Sequence, residues 1–265
     1  MQYVRLRGRK KEADIFCGEE AEAVSRPTIT HGQYLKLTGY LKDRKNPALL
    51  PVQIAYYTGL RIGEVCGLTW QDVNLDEQYL TVCRSMRYNG TRHKTEIGTT
   101  KRSKVRTVDF CDTLAEILRA AKVEQHKNRF KYGELYHLNY YTAVKEKDRS
   151  YYEVYSLPRT AEVPEGYKEL SFVCVRPDGM FESAGAVGQV CRKARKQVEG
   201  LEDFHFHMLR HTYTSNLLSG GAKPTDVQEL LGHSDVNTTM SIYAHATREA
   251  KRTSARLLDK VVGGA

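Results

Sequence analysis

Thr58-Gly59-Leu60-Arg61-Ile62-Gly63-Glu64 is the stretch on which the fold turns. Glycine enters the left-handed conformation of a helix end at little cost, so Gly59 closes a helix. A short helix follows at 62–68. The closed helix is predicted over 48–58, opened by Pro47, with Leu49, Leu50, Val52, Ile54, Tyr56 and Tyr57 as its apolar residues. Pro51 falls in its first turn, where a missing N–H is tolerated. Further upstream, Thr30 with Gln33 three residues on has the form of a capping box. That helix is expected to turn Leu35, Leu37 and Leu41 inward.

Downstream, 79–83, 93–97 and 105–110 read as strands, the third alternating apolar and polar as a half-buried strand does. A helix over 112–125 would bury Leu114, Ile117, Leu118 and Ala121. Residues 128–170 hold eight of the chain's 17 tyrosines and few aliphatics, which reads as a surface insertion, a helical pair or a small flap. Phe172-Val173-Cys174-Val175 reads as a short strand ending at the turn Pro177-Asp178-Gly179. Helices are predicted over 183–198, 207–219, 224–231, 235–243 and 246–260. The fold class expected is α+β, mostly α-helical with a small antiparallel β-sheet.

The formal net charge is +9, which favours polyanionic partners, nucleic acid first. Arg92, Lys94, Lys101, Arg102, Lys104 and Arg106 crowd one segment, and Arg192, Lys193, Arg195 and Lys196 form a second cluster. Six cysteines occur without a CxxC pair, so neither a zinc knuckle nor a redox motif is suggested. Cys66 and Cys83 read as small core residues. With no apolar run long enough to span a bilayer and no apolar signal core, the expectation is a cytoplasmic protein without membrane contact.

Four patterns carry chemistry: the 58–64 stretch; Lys101 in the turn before the third strand; His207-Met208-Leu209-Arg210-His211-Thr212; and Leu231-Gly232-His233 followed by Tyr243-Ala244-His245. In order and spacing the chain resembles the tyrosine recombinase (phage integrase) family over about residues 28–260. The family's signature is T-G-L-R-x-x-E, a hairpin lysine, H-x-L-R-H, L-G-H and a tyrosine in a Y-x-H context. The resemblance implies that family's catalytic fold and a DNA cleavage and rejoining activity, with Tyr243 as nucleophile.

The residue chemistry agrees with that implication. In-line attack on a phosphodiester adds charge to its non-bridging oxygens, which two guanidiniums can hold bidentately, a task suited to Arg61 and Arg210. Tyrosine has a pKa near 10 and needs a base, and His207 is the candidate acceptor. His233 would hydrogen-bond the scissile phosphate. Lys101 would protonate the leaving 5′-oxygen, with Lys104, three residues on, as its competitor. Glu64 either orients its neighbours or makes a plain salt bridge with Arg61. Arg92, Lys94, Arg102, Lys104, Arg106, Arg192 and Lys193 are candidate DNA contacts. His205, His207 and His211 lack a carboxylate or cysteine to complete a zinc site, so neither metal nor cofactor is expected.

The resemblance further implies double-stranded DNA and a homotetramer on paired sites as partners, with an excisionase or a host DNA-bending protein besides. Its setting would be integration or excision of a phage or conjugative element. It implies that 1–27 is an interdomain linker, that 28–265 is the catalytic domain, and that the family's upstream core-binding domain is absent from this chain. The segment 246–260 is expected to dock on a neighbouring subunit or to pack on its own domain. A type IB topoisomerase and a non-catalytic DNA-binding protein are the rival readings. The spacing from Leu231-Gly232-His233 to Tyr243 argues against the first, and the full set of catalytic residue types against the second.

Overall fold

The structure, a computed structural model, describes residues 27–100, 105–146 and 149–232. The segments 1–26, 101–104 and 233–265 lie outside it, and with them the linker, Lys101, Arg102, Lys104, His233, Tyr243 and the two last predicted helices.

Helix α1 spans His31–Asp43 and α2 spans Leu49–Thr58. The capping box forms: Thr30 Oγ1 accepts from the Gln33 amide at 3.2 Å, and Gln33 Oε1 accepts from the Thr30 amide at 2.7 Å. Leu37 and Leu41 enter the core, but Leu35 is 54% exposed, a correction to the expected stripe. Leu35 is off by one position from the face that buries Tyr34, Leu37 and Leu41 at helical spacing.

After the short α3 (Ile62–Cys66) come β1 (Val73–Asn74), β2 (Tyr79–Val82), β3 (Arg84–Asn89), β4 (Lys94–Thr99) and β5 (Arg106–Asp109). Strands β1, β2 and β5 form one antiparallel sheet. Helix α4 (Asp112–Tyr132) runs seven residues past its predicted end. A long β-hairpin then stands within 128–170, which corrects the helical-pair alternative for that segment. β6 (His137–Glu146) and β7 (Arg149–Pro158) pair along ten residues, and β8 (Lys168–Leu170) adds to β6. The five-stranded antiparallel order is β3-β4-β7-β6-β8, joined through Glu96 opposite Glu153 and Ile97 opposite Tyr152. Met86, Ile97 and Val154 put its inner face into the main core.

Helices α5 (Ala184–Gln197), α6 (His207–Ser219) and α7 (Pro224–Leu231) complete the described chain. The main core draws Leu37, Leu41, Val52, Ile54, Leu80, Val108, Leu114, Leu118, Val187 and Leu209 from helices and both sheets. Cys66 lies in it, whereas Cys83 is only half-buried, with Sγ 3.5 Å from Asp72 Oδ1. Among the described residues no helix is long and apolar enough to cross a membrane.

Candidate active site

The turn between α2 and α3 is shaped by Gly59, at φ +66. A Cβ there would sit 2.5 Å from the Tyr213 ring and 2.9 Å from Leu231, so only glycine lets α6 and α7 close over the turn. Thr58 Oγ1 bonds back to Ile54 O at 2.6 Å and finishes α2. Arg61 then emerges as the residue preceding α3, its side chain about a third exposed.

Arg210, on α6, reaches the same turn from the other side. Its Nη1 donates to Gly59 O at 2.7 Å and its Nη2 to Leu231 O at 2.8 Å. Two motifs far apart in sequence, T-G-L-R and H-x-L-R-H, are thereby joined to the end of α7, where Gly232 takes φ +62. Arg210 is 2% exposed. Burial, together with the nearby Arg61, pushes its guanidinium down to about 9, with Glu64 opposing. It remains cationic at neutral pH.

Glu64 is the hub. Its Oε1 accepts from Arg61 Nη1 at 2.9 Å and its Oε2 from the Arg61 amide at 3.0 Å. The same carboxylate accepts from Arg106 Nη2 at 2.7 Å and Nη1 at 3.3 Å. Burial raises the Glu64 pKa, but the hydrogen bond and charge of Arg106, with those of Arg61, outweigh it and hold the carboxyl below its ordinary value. The salt bridge between Glu64 and Arg61 forms, and a second one joins Glu64 to Arg106.

Arg106 belongs to the same cluster. Expected among the DNA contacts, it has only 11% of its side chain exposed and commits its guanidinium to Glu64 and, through Nε at 3.1 Å, to Leu230 O. Arg106 shares a strand face with buried Val108, two residues on.

A cavity of about 740 Å³ opens beside these groups, lined by Arg61, Thr100, Arg106, Thr107, Glu229 and Gly232 among others. Lys101 follows Thr100 in the chain, and His233 follows Gly232. Arg210 is not among the lining residues; it is bonded to Leu231 O, one residue before Gly232, which is. His207 is exposed at the first position of α6, its ring edge-on to His211 at 4.8 Å. Among the described residues no group of three or more His, Cys, Asp or Glu could hold a metal ion.

The other candidate DNA contacts are dispersed. Arg92 stacks on the Tyr151 ring at 4.0 Å and donates to Glu96 at 3.2 Å. Lys94 is exposed, with Nζ 4.9 Å from the Tyr155 ring. Arg192 and Lys193 are exposed on α5.

A mostly helical domain whose first arginine turn and second arginine helix meet at the end of α7 has the tyrosine recombinase catalytic fold. The Tn1549 transposon integrase, solved in complex with transposon right end DNA, matches with a TM-score of 0.62 at 20% identity, over 89% of this chain and 67% of that one. XerA recombinase matches at 0.56 and 18% identity, over 88% and 65%. The chain belongs to the Phage integrase family, whose sequence model matches residues 27–250. A tyrosine recombinase XerC-like protein of Caldanaerobacter subterraneus subsp. tengcongensis is 27% identical over 241 residues, 88% of this chain and 54% of the relative. A tyrosine recombinase XerD of Ralstonia nicotianae is 37% identical over 95 residues, 36% of this chain and 30% of the relative. The chain spans about half the length of the curated relatives it matches.

Proposed function

We propose that this chain is the catalytic domain of a site-specific DNA recombinase acting through a 3′-phosphotyrosine intermediate. The observation that carries the reading is that Arg210 ties the Gly59 turn, from which Arg61 emerges, to the end of α7, beside a cavity of about 740 Å³ lined by Arg61 and Gly232. Arg61 and Arg210 act on the charge that develops at the scissile phosphate. Tyr243 attacks phosphorus and its proton passes to His207; the P–O5′ bond breaks, and Lys101 protonates the departing oxygen. His233 hydrogen-bonds a non-bridging oxygen. Reversal with the 5′-hydroxyl of a second duplex rejoins the strands, so bond energy is conserved without ATP or a metal.

Double-stranded DNA is the substrate, and paired sites are bridged by a homotetramer, with an excisionase or DNA-bending protein setting direction. The Tn1549 transposon integrase is a structural neighbour whose partner is transposon DNA, which favours integration or excision of a phage or conjugative element. Covalent capture on a nicked duplex tests the reading: a denaturation-resistant protein–DNA adduct is expected, and binding without any adduct overturns it in favour of a non-catalytic DNA-binding protein.

A further inference from the structure

We propose that Arg106 is a positioning residue for DNA cleavage: it sets the geometry and net charge of Arg61 through Glu64 and pins the end of α7, without touching DNA. The inference rests on the function proposed for the chain.

Three chain segments meet on this one guanidinium. Its Nη1 and Nη2 face the two oxygens of Glu64, and its Nε bonds Leu230 O on the opposite edge. Its stem packs where a Cβ on Gly232 would sit, 2.9 Å from Arg106 Cδ. The planar fork suits this double task, since an ammonium offers no rigid second edge. Arg106 is thus fixed to the end of α7, directly before His233, and to the residue that orients Arg61. It also lies five residues after Lys101.

The electrostatic consequence comes from counting charges. Arg61, Glu64 and Arg106 together carry +1. Without Arg106, the buried Glu64 pairs with Arg61 alone, the set falls to zero, and the field that Arg61 directs at a phosphate weakens. Both arginines line the cavity, but the side chain of Arg61 is about a third exposed and that of Arg106 only 11%. The two arginines therefore divide the work: one meets the substrate, and the other keeps the shared carboxylate from neutralising it.

Three variants separate charge from geometry. Arg106→Ala removes both; Arg106→Lys keeps the charge and loses the fork; Arg106→Ala with Glu64→Gln restores +1 on Arg61 while losing the fork. The double variant also removes both partners of the buried pair, which is far milder for folding than removing one. Each is measured by single-turnover adduct formation on a nicked duplex, recovered from a randomised pool by covalent capture with the wild-type chain, and by the salt dependence of binding to the same duplex.

Arg106→Ala is expected to slow adduct formation by about 10²-fold, the scale for losing one aligned stabiliser. The double variant should regain about tenfold of that loss, and Arg106→Lys should fall between Arg106→Ala and wild type. DNA affinity should change by no more than about twofold, with the salt slope unaltered. If affinity falls with cleavage and the salt slope drops by about one, Arg106 is a phosphate contact and the proposal fails. If Arg106→Lys and the double variant both cleave at the wild-type rate, it fails as well. If the double variant is no faster than Arg106→Ala, the charge argument fails. Absence of a wild-type adduct from the whole pool instead overturns the proposed function and this inference with it.

Discussion

Nη2 of Arg210 donates to the carbonyl of Leu231 at 2.8 Å, so the arginine of α6 and the end of α7 cannot move independently. Its Nη1 makes the same kind of bond to Gly59 O. Arg210 is therefore structural and electrostatic at once, whereas Arg61 stands at the cavity edge. Arg61→Ala and Arg210→Ala are each expected to lower cleavage by about 10²-fold or more. DNA affinity should fall much less if the other Lys and Arg side chains proposed as backbone contacts carry it. Only Arg210→Ala should also destabilise the fold markedly, by about 1–3 kcal/mol for each carbonyl left buried without its donor. Thermal melts beside cleavage rates check this. Equal melting losses in the two variants would contradict the division of roles.

The Glu64 carboxyl is held below its ordinary value by Arg106 and Arg61 against the effect of burial. A carboxyl lowered in the folded state contributes stability that is fully present above its unfolded pKa. That contribution is lost as pH falls through the folded value. The stability difference between the wild type and Glu64→Gln is therefore expected to be flat from about pH 6 to 8 and to shrink below about pH 4.5, where free carboxyls protonate. Denaturant melts across that range provide the check. A difference that grows on acidification would reverse the sign and refute the pairing.

Helix ends were the most readable part of the sequence, because capping is local. Thr30 with Gln33, Gly59 and Gly232 each mark a boundary that the fold obeys. Of the motif residues, Arg61 was placed by its turn, two residues after Gly59, whereas Arg210 lies inside α6 and only the fold brings it to that turn. The β6–β7 hairpin was not. Its strands lack aliphatic alternation, and cohesion comes from tyrosines and buried polar groups, such as Tyr140 opposite Tyr155 and Asn139 Nδ2 donating to Gly179 O at 2.9 Å. Its union with β4 sets Glu96 opposite Glu153, a pairing no local pattern announces. Glu96 is buried at 1% exposure only because Arg87, Asn89 and Arg92 converge on it. The bonds of Arg106 to Glu64 and Leu230 O, 42 and 124 residues away in the chain, were not legible either, because no local pattern announces them.

Lys101 can be distinguished from Lys104 by leaving-group chemistry. Sulfur at the bridging 5′ position departs without a proton. Lys101→Ala is expected to be slow on ordinary DNA and nearly normal on the 5′-thio substrate, with Lys104→Ala close to wild type on both. Rescue of Lys104→Ala instead would shift the general acid by three residues. Rescue of neither would move the proton to His207 or a water.

The groups assigned to stabilise the phosphate are side-chain cations, so cleavage is expected to persist in EDTA at an undiminished rate. Loss of activity in chelator, restored by zinc or magnesium, would return the His205, His207 and His211 cluster to consideration as a metal site.

Tyr243 is expected to become covalently joined to DNA. A nicked duplex that releases a short 5′-hydroxyl strand traps the intermediate, and digestion followed by mass spectrometry locates the attached nucleotide. A 3′-phosphonucleotide is expected on the peptide containing Tyr243, with normal DNA binding but no adduct in Tyr243→Phe. A denaturation-resistant adduct that persists in Tyr243→Phe, or one mapped to another tyrosine, contradicts it.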